Sequence, residues 1–78
     1  MRQVLIVDDS LTVRMDLEEA FLAGGFRPVL CADLAAARHA LSAARFALVV
    51  LDVLLPDGDG LELLAELKCS PQHGATPV

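Results

Sequence analysis

The sequence predicts an α/β domain built on a parallel sheet, and three observations predict it. Residues 4–7 and 47–51 are wholly apolar runs without polar alternation, which is how strands covered on both faces by helices read. Between and after them lie segments whose apolar residues recur at helical spacing. The connections are short and carry Gly, Pro, Asp or Ser, the residues of turns and caps.

The first strand, residues 4–7, ends in Asp8, Asp9 and Ser10. Over residues 10–23, Val13, Leu17, Ala20 and Phe21 share one helical face, while Asp16, Glu18 and Glu19 turn elsewhere. Asp9 or Ser10 can accept from the free amides of the first turn, and Gly24 and Gly25 supply a left-handed stop. Phe26 and Arg27 lead into a short strand over 28–31. Asp33 is the N-cap of a second helix reaching Ala44, with Leu34, Ala37 and Leu41 as its stripe and alanine filling the gaps.

The central strand, 47–51, stops at Asp52. A loop through Pro56, Gly58 and Gly60 follows, with Asp57 and Asp59 as turn and cap residues. A third helix is predicted from about residue 60 to 68, with Leu61, Leu64 and Leu67 on one side. Residues 70–75 read as a loop, and Thr76, Pro77 and Val78 as the start of a fourth strand.

The predicted alternation is βαβαβα with a stub. Right-handed crossovers then give a flavodoxin-like parallel sheet of strand order 2-1-3, in which strands one and three are neighbours. That order brings Asp8, Asp9 and Asp52 together at the carboxyl edge, where open α/β sheets hold their ligands. Like charges at such distances need a cation or a proton to coexist, and oxygen-only ligands favour magnesium or calcium over zinc.

Six Lys and Arg against eleven Asp and Glu give a formal charge of -5 without a basic cluster, which argues against nucleic acid as a direct partner. No apolar run approaches the roughly twenty residues of a membrane span or the length of a signal-peptide core. A soluble, cytoplasmic chain with no membrane partner is expected. With 55% hydrophobic residues and a mean hydropathy of +0.56, the chain is unusually apolar for a small free-standing domain and reads as one lacking a covering layer. Cys31 and Cys69 match no zinc or redox spacing and read as reduced thiols. His39 and His73 have no ligand-spaced companions and read as solvent-facing or loop residues.

VLIVDDS at residues 4–10, R-x-x-L from Arg14 to Leu17, GGF at 24–26 and LVVLDVLLPDGDGLELL at 48–64 together resemble the receiver domain of two-component response regulators. The resemblance covers essentially the whole chain. It rests on the acidic pair after strand one, the lone aspartate after strand three, the proline four residues beyond it and the glycine eight beyond it. It implies that Asp52 is the phosphoacceptor, taking a phosphoryl group from a histidine kinase or phosphotransfer protein. It further implies that Asp9 binds Mg2+ directly, that Asp8 acts through water, and that the backbone carbonyl of Leu54 completes the metal site. Arg14, one turn into helix one, is placed to contact a bound phosphoryl group or to serve as a surface or salt-bridging arginine.

The family also uses a hydroxyl residue after strand four and a lysine after strand five, and neither position falls within the 78 residues. Lys68 cannot substitute, since eight helical residues at roughly 1.5 Å each put it about 12 Å from the acidic edge. The expectation is therefore a partial receiver domain over residues 1–78, lacking the family's last strands and helices. It would be a phosphoacceptor signalling domain rather than a turnover enzyme. The strand at 47–51 would then be an exposed apolar edge through which the chain forms a homodimer or captures a completing segment.

Two rival chemistries fit poorly. A haloacid-dehalogenase-type phosphatase needs a second acid where Leu54 stands, and an EF-hand reading of DGDG lacks its closing glutamate. The remaining alternative is a non-catalytic interaction or dimerisation module that docks a partner without taking up phosphate.

Overall fold

In the computed structural model, which describes residues 2–71 and 73–78, the chain forms β1 (Gln3–Val7), α1 (Leu11–Ala23), β2 (Arg27–Cys31), α2 (Leu34–Ala43) and β3 (Leu48–Leu51). Two short strands follow, β4 (Leu54–Leu55) and β5 (Gly58–Asp59), and then α3 (Gly60–Cys69). The main sheet is parallel with order β2-β1-β3, as expected. β4 and β5 pair antiparallel as a hairpin where the sequence predicts only a loop; its two-residue strands are too short for a periodicity signal.

β1 is the central strand, and Val4, Leu5, Ile6 and Val7 are all fully buried. Strand side chains alternate between faces, so burial of consecutive residues requires cover on both sides. Leu5, Val7, Cys31 and Val49 pack with Leu34, Ala37 and Leu41 of α2 and with Leu63 and Leu67 of α3. α1 packs on β1 and β2 from the opposite face.

Cover on the α1 face is thin. Of the predicted stripe, Leu17 and Phe21 are half-buried while Val13 and Ala20 are exposed, and no α1 residue is fully buried. Leu11, Met15 and Leu22 also stand in solvent. Among the described elements α1 covers this face alone, so both of its flanks stay open.

The caps explain where the helices start and stop. Ser10 Oγ accepts from the Val13 amide, Asp33 from Ala36 and Asp59 from Leu61. At the end of α1 the Phe26 amide donates to Phe21 O and the Gly25 amide to Leu22 O, at 3.0 and 3.1 Å. Gly25 has φ 85°, and the Phe21 and Phe26 rings meet edge to face at 5.8 Å. This is the left-handed stop closed by a hydrophobic contact.

One further sequence expectation needs correction. The buried face of α3 is Gly60, Leu63 and Leu67, not Leu61, Leu64 and Leu67; Leu61 is exposed and Leu64 half-buried. Leucines at 61, 63, 64 and 67 satisfy more than one helical phase, and the close approach of Gly60 to the backbone at Asp52 selects this one. His73 lies in the terminal loop, as expected, and is buried there. Its Nε2 is 3.0 Å from Leu41 O, and since a carbonyl only accepts, the ring carries a proton there. His39 is exposed.

On the outer side of β3, the Val49 amide donates to Pro77 O at 2.9 Å. The last residues thus lie against the β3 edge, where the sequence places the start of a fourth strand, although no strand is formed there. No helix is long and apolar enough to cross a membrane.

Candidate functional site

Sheet register assembles the acidic edge. Val7 is in register with Leu51 on one side and with Cys31 on the other. The residues that follow, Asp8 and Asp52, therefore leave the sheet side by side. The Asp52 amide donates to Val7 O at 2.9 Å and the Asp8 amide to Cys31 O at 3.0 Å, which extends the ladder to the last residue before the turns. Asp9 follows Asp8 into the start of α1.

One carboxylate oxygen from each of Asp8, Asp9 and Asp52 lies within 4.8 Å of the other two. Asp8 and Asp52 are half-buried and Asp9 is exposed. The Ser10 amide donates to Asp8 Oδ1 at 2.9 Å, and the Leu54 amide makes a longer contact with Asp52 Oδ1 at 3.4 Å. Neither the second oxygen of Asp8 and of Asp52 nor either oxygen of Asp9 receives a hydrogen bond from the described residues. The donor set suits a small hard cation: two oxygens opposite each other on magnesium stand roughly 4.2 Å apart at 2.0–2.1 Å per bond. Three oxygens within 4.8 Å of one another lie close to that span, so small side-chain adjustments would bring them onto one ion.

The loop after Asp52 is shaped by a glycine. A Cβ on Gly60 would collide with the Asp52 carbonyl oxygen and would lie 3.0 Å from the Asp52 carbonyl carbon and 3.1 Å from Val53 Cα. The Gly60 amide also donates to Val53 O at 2.7 Å. The glycine eight residues beyond Asp52 thus lets α3 start directly beneath the loop that presents Asp52. Leu54 sits in β4 in register with Asp59 and is 79% exposed; its side chain is apolar, so it offers the site main-chain atoms only.

Arg14 does reach the acidic edge, but its partner is main chain: Nη1 donates to Asp8 O at 2.8 Å. Burial pushes the neighbouring Cys31 thiol above its ordinary value, Asp33 adds to this and the Arg14 guanidinium opposes it. Both cysteines are free thiols. Lys68 Nζ donates to Thr76 O at 3.3 Å, a main-chain partner in the terminal loop and none of the three acids.

Asp57 plays a part its position in a turn does not reveal. Its carboxylate accepts from the Leu34 and Ala35 amides at 2.8 and 3.0 Å, so a residue after β4 caps α2 across 23 residues of chain. These bonds, the Leu34 amide foremost, hold the carboxyl below its ordinary value. A cavity of about 320 Å³ between α2, α3 and the terminal loop is lined by Leu41, Leu63, Leu67 and His73, with the Arg38–Glu66 ion pair among its lining groups. None of the three acids lines it, so the acidic edge stands as a separate feature.

The chain matches the response regulator receiver domain family over residues 4–78. It belongs to that family. It is 40% identical over 76 residues to the transcriptional activator protein PfeR of Pseudomonas aeruginosa, a match covering 97% of this chain and 24% of that protein. The chain thus spans about a quarter of that relative. Among solved structures it superposes on the chemotaxis response regulator CheY4 of Vibrio cholerae with a TM-score of 0.93 at 30% identity, over 99% of this chain and 64% of that one. It also resembles the response regulator TrrA of Thermotoga maritima in complex with Mg2+ and BeF, with a TM-score of 0.82 at 28% identity, over 87% of this chain and 59% of that one. Membership makes this a receiver domain of two-component systems, a phosphoacceptor class.

Proposed function

We propose that Asp52 accepts a phosphoryl group from a phosphohistidine on a histidine kinase or phosphotransfer protein, with Mg2+ held by Asp8, Asp9, Asp52 and the carbonyl of Leu54. The observation that carries this reading is the meeting of three carboxylates within 4.8 Å at the carboxyl edge of the sheet. In the step, an Asp52 carboxylate oxygen attacks phosphorus, the P–N bond to histidine breaks with its electron pair leaving on nitrogen, and an acyl phosphate forms on Asp52. Bound Mg2+ would neutralise charge on the phosphoryl oxygens that otherwise repel the attacking carboxylate. The chain's own part is positional. Register places Asp52 beside Asp8, the Leu54 amide orients one carboxylate oxygen, and Gly60 fixes the loop behind it.

Support for the metal comes from the all-oxygen donor set and from the Mg2+–BeF complex of the related TrrA. Phosphotransfer is tested by mixing the 78-residue chain with an autophosphorylated, radiolabelled histidine kinase. Label should move to the chain and not to Asp52→Ala. Binding of the kinase without transfer would favour the interaction-module alternative.

A further inference from the structure

We infer that Arg14 is a positioning residue of the acidic site, bracing the turn that carries Asp8 and Asp9, and not a contact for the phosphoryl group. The inference rests on reading that site as a magnesium-binding phosphoacceptor. Asp8 is held at every main-chain polar atom: its amide donates to Cys31 O at 3.0 Å, and its carbonyl accepts from Arg14 Nη1 at 2.8 Å. Its side chain is fixed as well, by the Ser10 amide at 2.9 Å. The bond from Arg14 has a charged donor and the one from Ser10 a charged acceptor, so both are of the stronger, charge-assisted kind, and the Arg14 bond is the one that acts on the main chain. Arg14 is itself rooted in the first turn of α1, where its amide donates to Ser10 O at 3.0 Å. The guanidinium thus closes a loop from α1 back to the end of β1, with Asp9 inside it.

The peptide between Asp8 and Asp9 sets where the Asp9 Cα stands, and with it the origin of the carboxylate. Pinning the Asp8 carbonyl fixes that peptide plane, because carbonyl and following amide share one rigid unit. Without the pin, Asp9 becomes free to swing away from Asp8 and Asp52, and a divalent cation must supply the ordering that the arginine now provides in advance.

The sign of the effect separates this role from its rivals. A cationic side chain beside a cation site repels the metal, so if Arg14 acted through charge alone, its removal would tighten Mg2+ binding. A phosphoryl contact would leave Mg2+ binding unchanged or tightened and would show only in phosphorylation. A brace predicts weaker binding.

The experiment is a calorimetric Mg2+ titration of the 78-residue chain, its Arg14→Lys and Arg14→Met variants, with amide exchange followed at Ser10 in metal-free buffer. Arg14→Met should bind Mg2+ about tenfold more weakly, the low end of what loss of an outer-shell partner does to a metal site. Arg14→Lys, which keeps a charged donor able to meet the Asp8 carbonyl, should stay close to wild type. The Ser10 amide should exchange faster in Arg14→Met and not in Arg14→Lys. If Arg14→Met does not fold, Arg14→Gln, uncharged and shorter, takes its place. Equal or tighter Mg2+ binding by the uncharged variant overturns the brace. A wild type that binds no Mg2+ would instead defeat the metal reading of the site, and unchanged Ser10 exchange in Arg14→Met would then overturn the brace on its own.

Discussion

Replacing Gly60 with alanine sets two effects of opposite sign against each other, and the structure says which wins. Gly60 is the first residue of α3, and glycine is a poorer helix former than alanine by up to about 1 kcal/mol, so propensity alone predicts a gain. The new methyl group, however, would collide with the Asp52 carbonyl oxygen and stand 3.0 and 3.1 Å from two further main-chain atoms. Main chain cannot rotate out of the way as a side-chain end can. Either α3 or the Asp52–Val53 segment must move, and the 2.7 Å bond from the Gly60 amide to Val53 O stretches with it. Overpacking of this kind costs about 1–3 kcal/mol, which exceeds the propensity gain and is a sizeable part of a typical domain's 5–15 kcal/mol. Urea unfolding followed by far-UV circular dichroism should show Gly60→Ala to be the less stable protein. The site should suffer too, with Asp52 phosphorylation slowed because the loop presenting the carboxylate has shifted. Gly24→Ala is the control: φ is -82° and a Cβ there meets nothing closer than 3.5 Å, so its stability should stay within about 0.5 kcal/mol of wild type. A Gly60→Ala protein as stable as wild type would refute the close-approach reasoning.

Asp57→Ala should lower the unfolding midpoint at neutral pH and speed exchange of the Leu34 and Ala35 amides, which lose their acceptor. Because the Asp57 carboxyl is held below its ordinary value, its contribution is complete above about pH 4 and is lost as pH falls through the lower folded value; the gap between wild type and Asp57→Ala should close in acid, and a constant gap would contradict the assignment. The β3 edge should drive association of the 78-residue chain at low micromolar concentration, since among the described residues no strand pairs with its outer side, where the Val49 amide donates to Pro77 O, and Leu48, Val50 and Leu51 are half-buried. Sedimentation showing a monomer, with strong exchange protection at Val49 to Leu51, would rule that out.

Much of this fold is written in short-range pattern. A strand buried on both faces cannot carry polar residues, so VLIV and LVVL stand out, and their parallel pairing follows from the helices between them. An acid that ends such a strand has nowhere to go but the sheet edge, which is why Asp8, Asp9 and Asp52 were legible as a cluster. Ser10, Asp33 and Asp59 announce helix starts because a cap acts on amides two or three residues away. What stayed hidden depends on contacts between distant segments. Asp57 looks like any turn aspartate until α2 is seen to begin beside it. The phase of α3 is ambiguous among its leucines until Gly60 meets the Asp52 backbone. His73 is buried by a gap between two helix ends, which no local pattern encodes. Arg14 could be placed near the acids by helical geometry, but whether it meets a carboxylate, a phosphoryl group or a carbonyl depends on the path of the turn.

The central claim, that Asp52 is the phosphoacceptor of an acidic metal site, is tested most directly by a small phosphoryl donor that needs no kinase. The 78-residue chain is incubated with acetyl phosphate and Mg2+, and the product is mapped by peptide mass spectrometry after trapping with hydroxylamine. The account predicts one hydroxylamine-labile acyl phosphate, on Asp52, suppressed by chelation of Mg2+ and by Asp9→Ala. Modification that persists in Asp52→Ala, or that forms on Asp52 at the same rate without Mg2+, would contradict it.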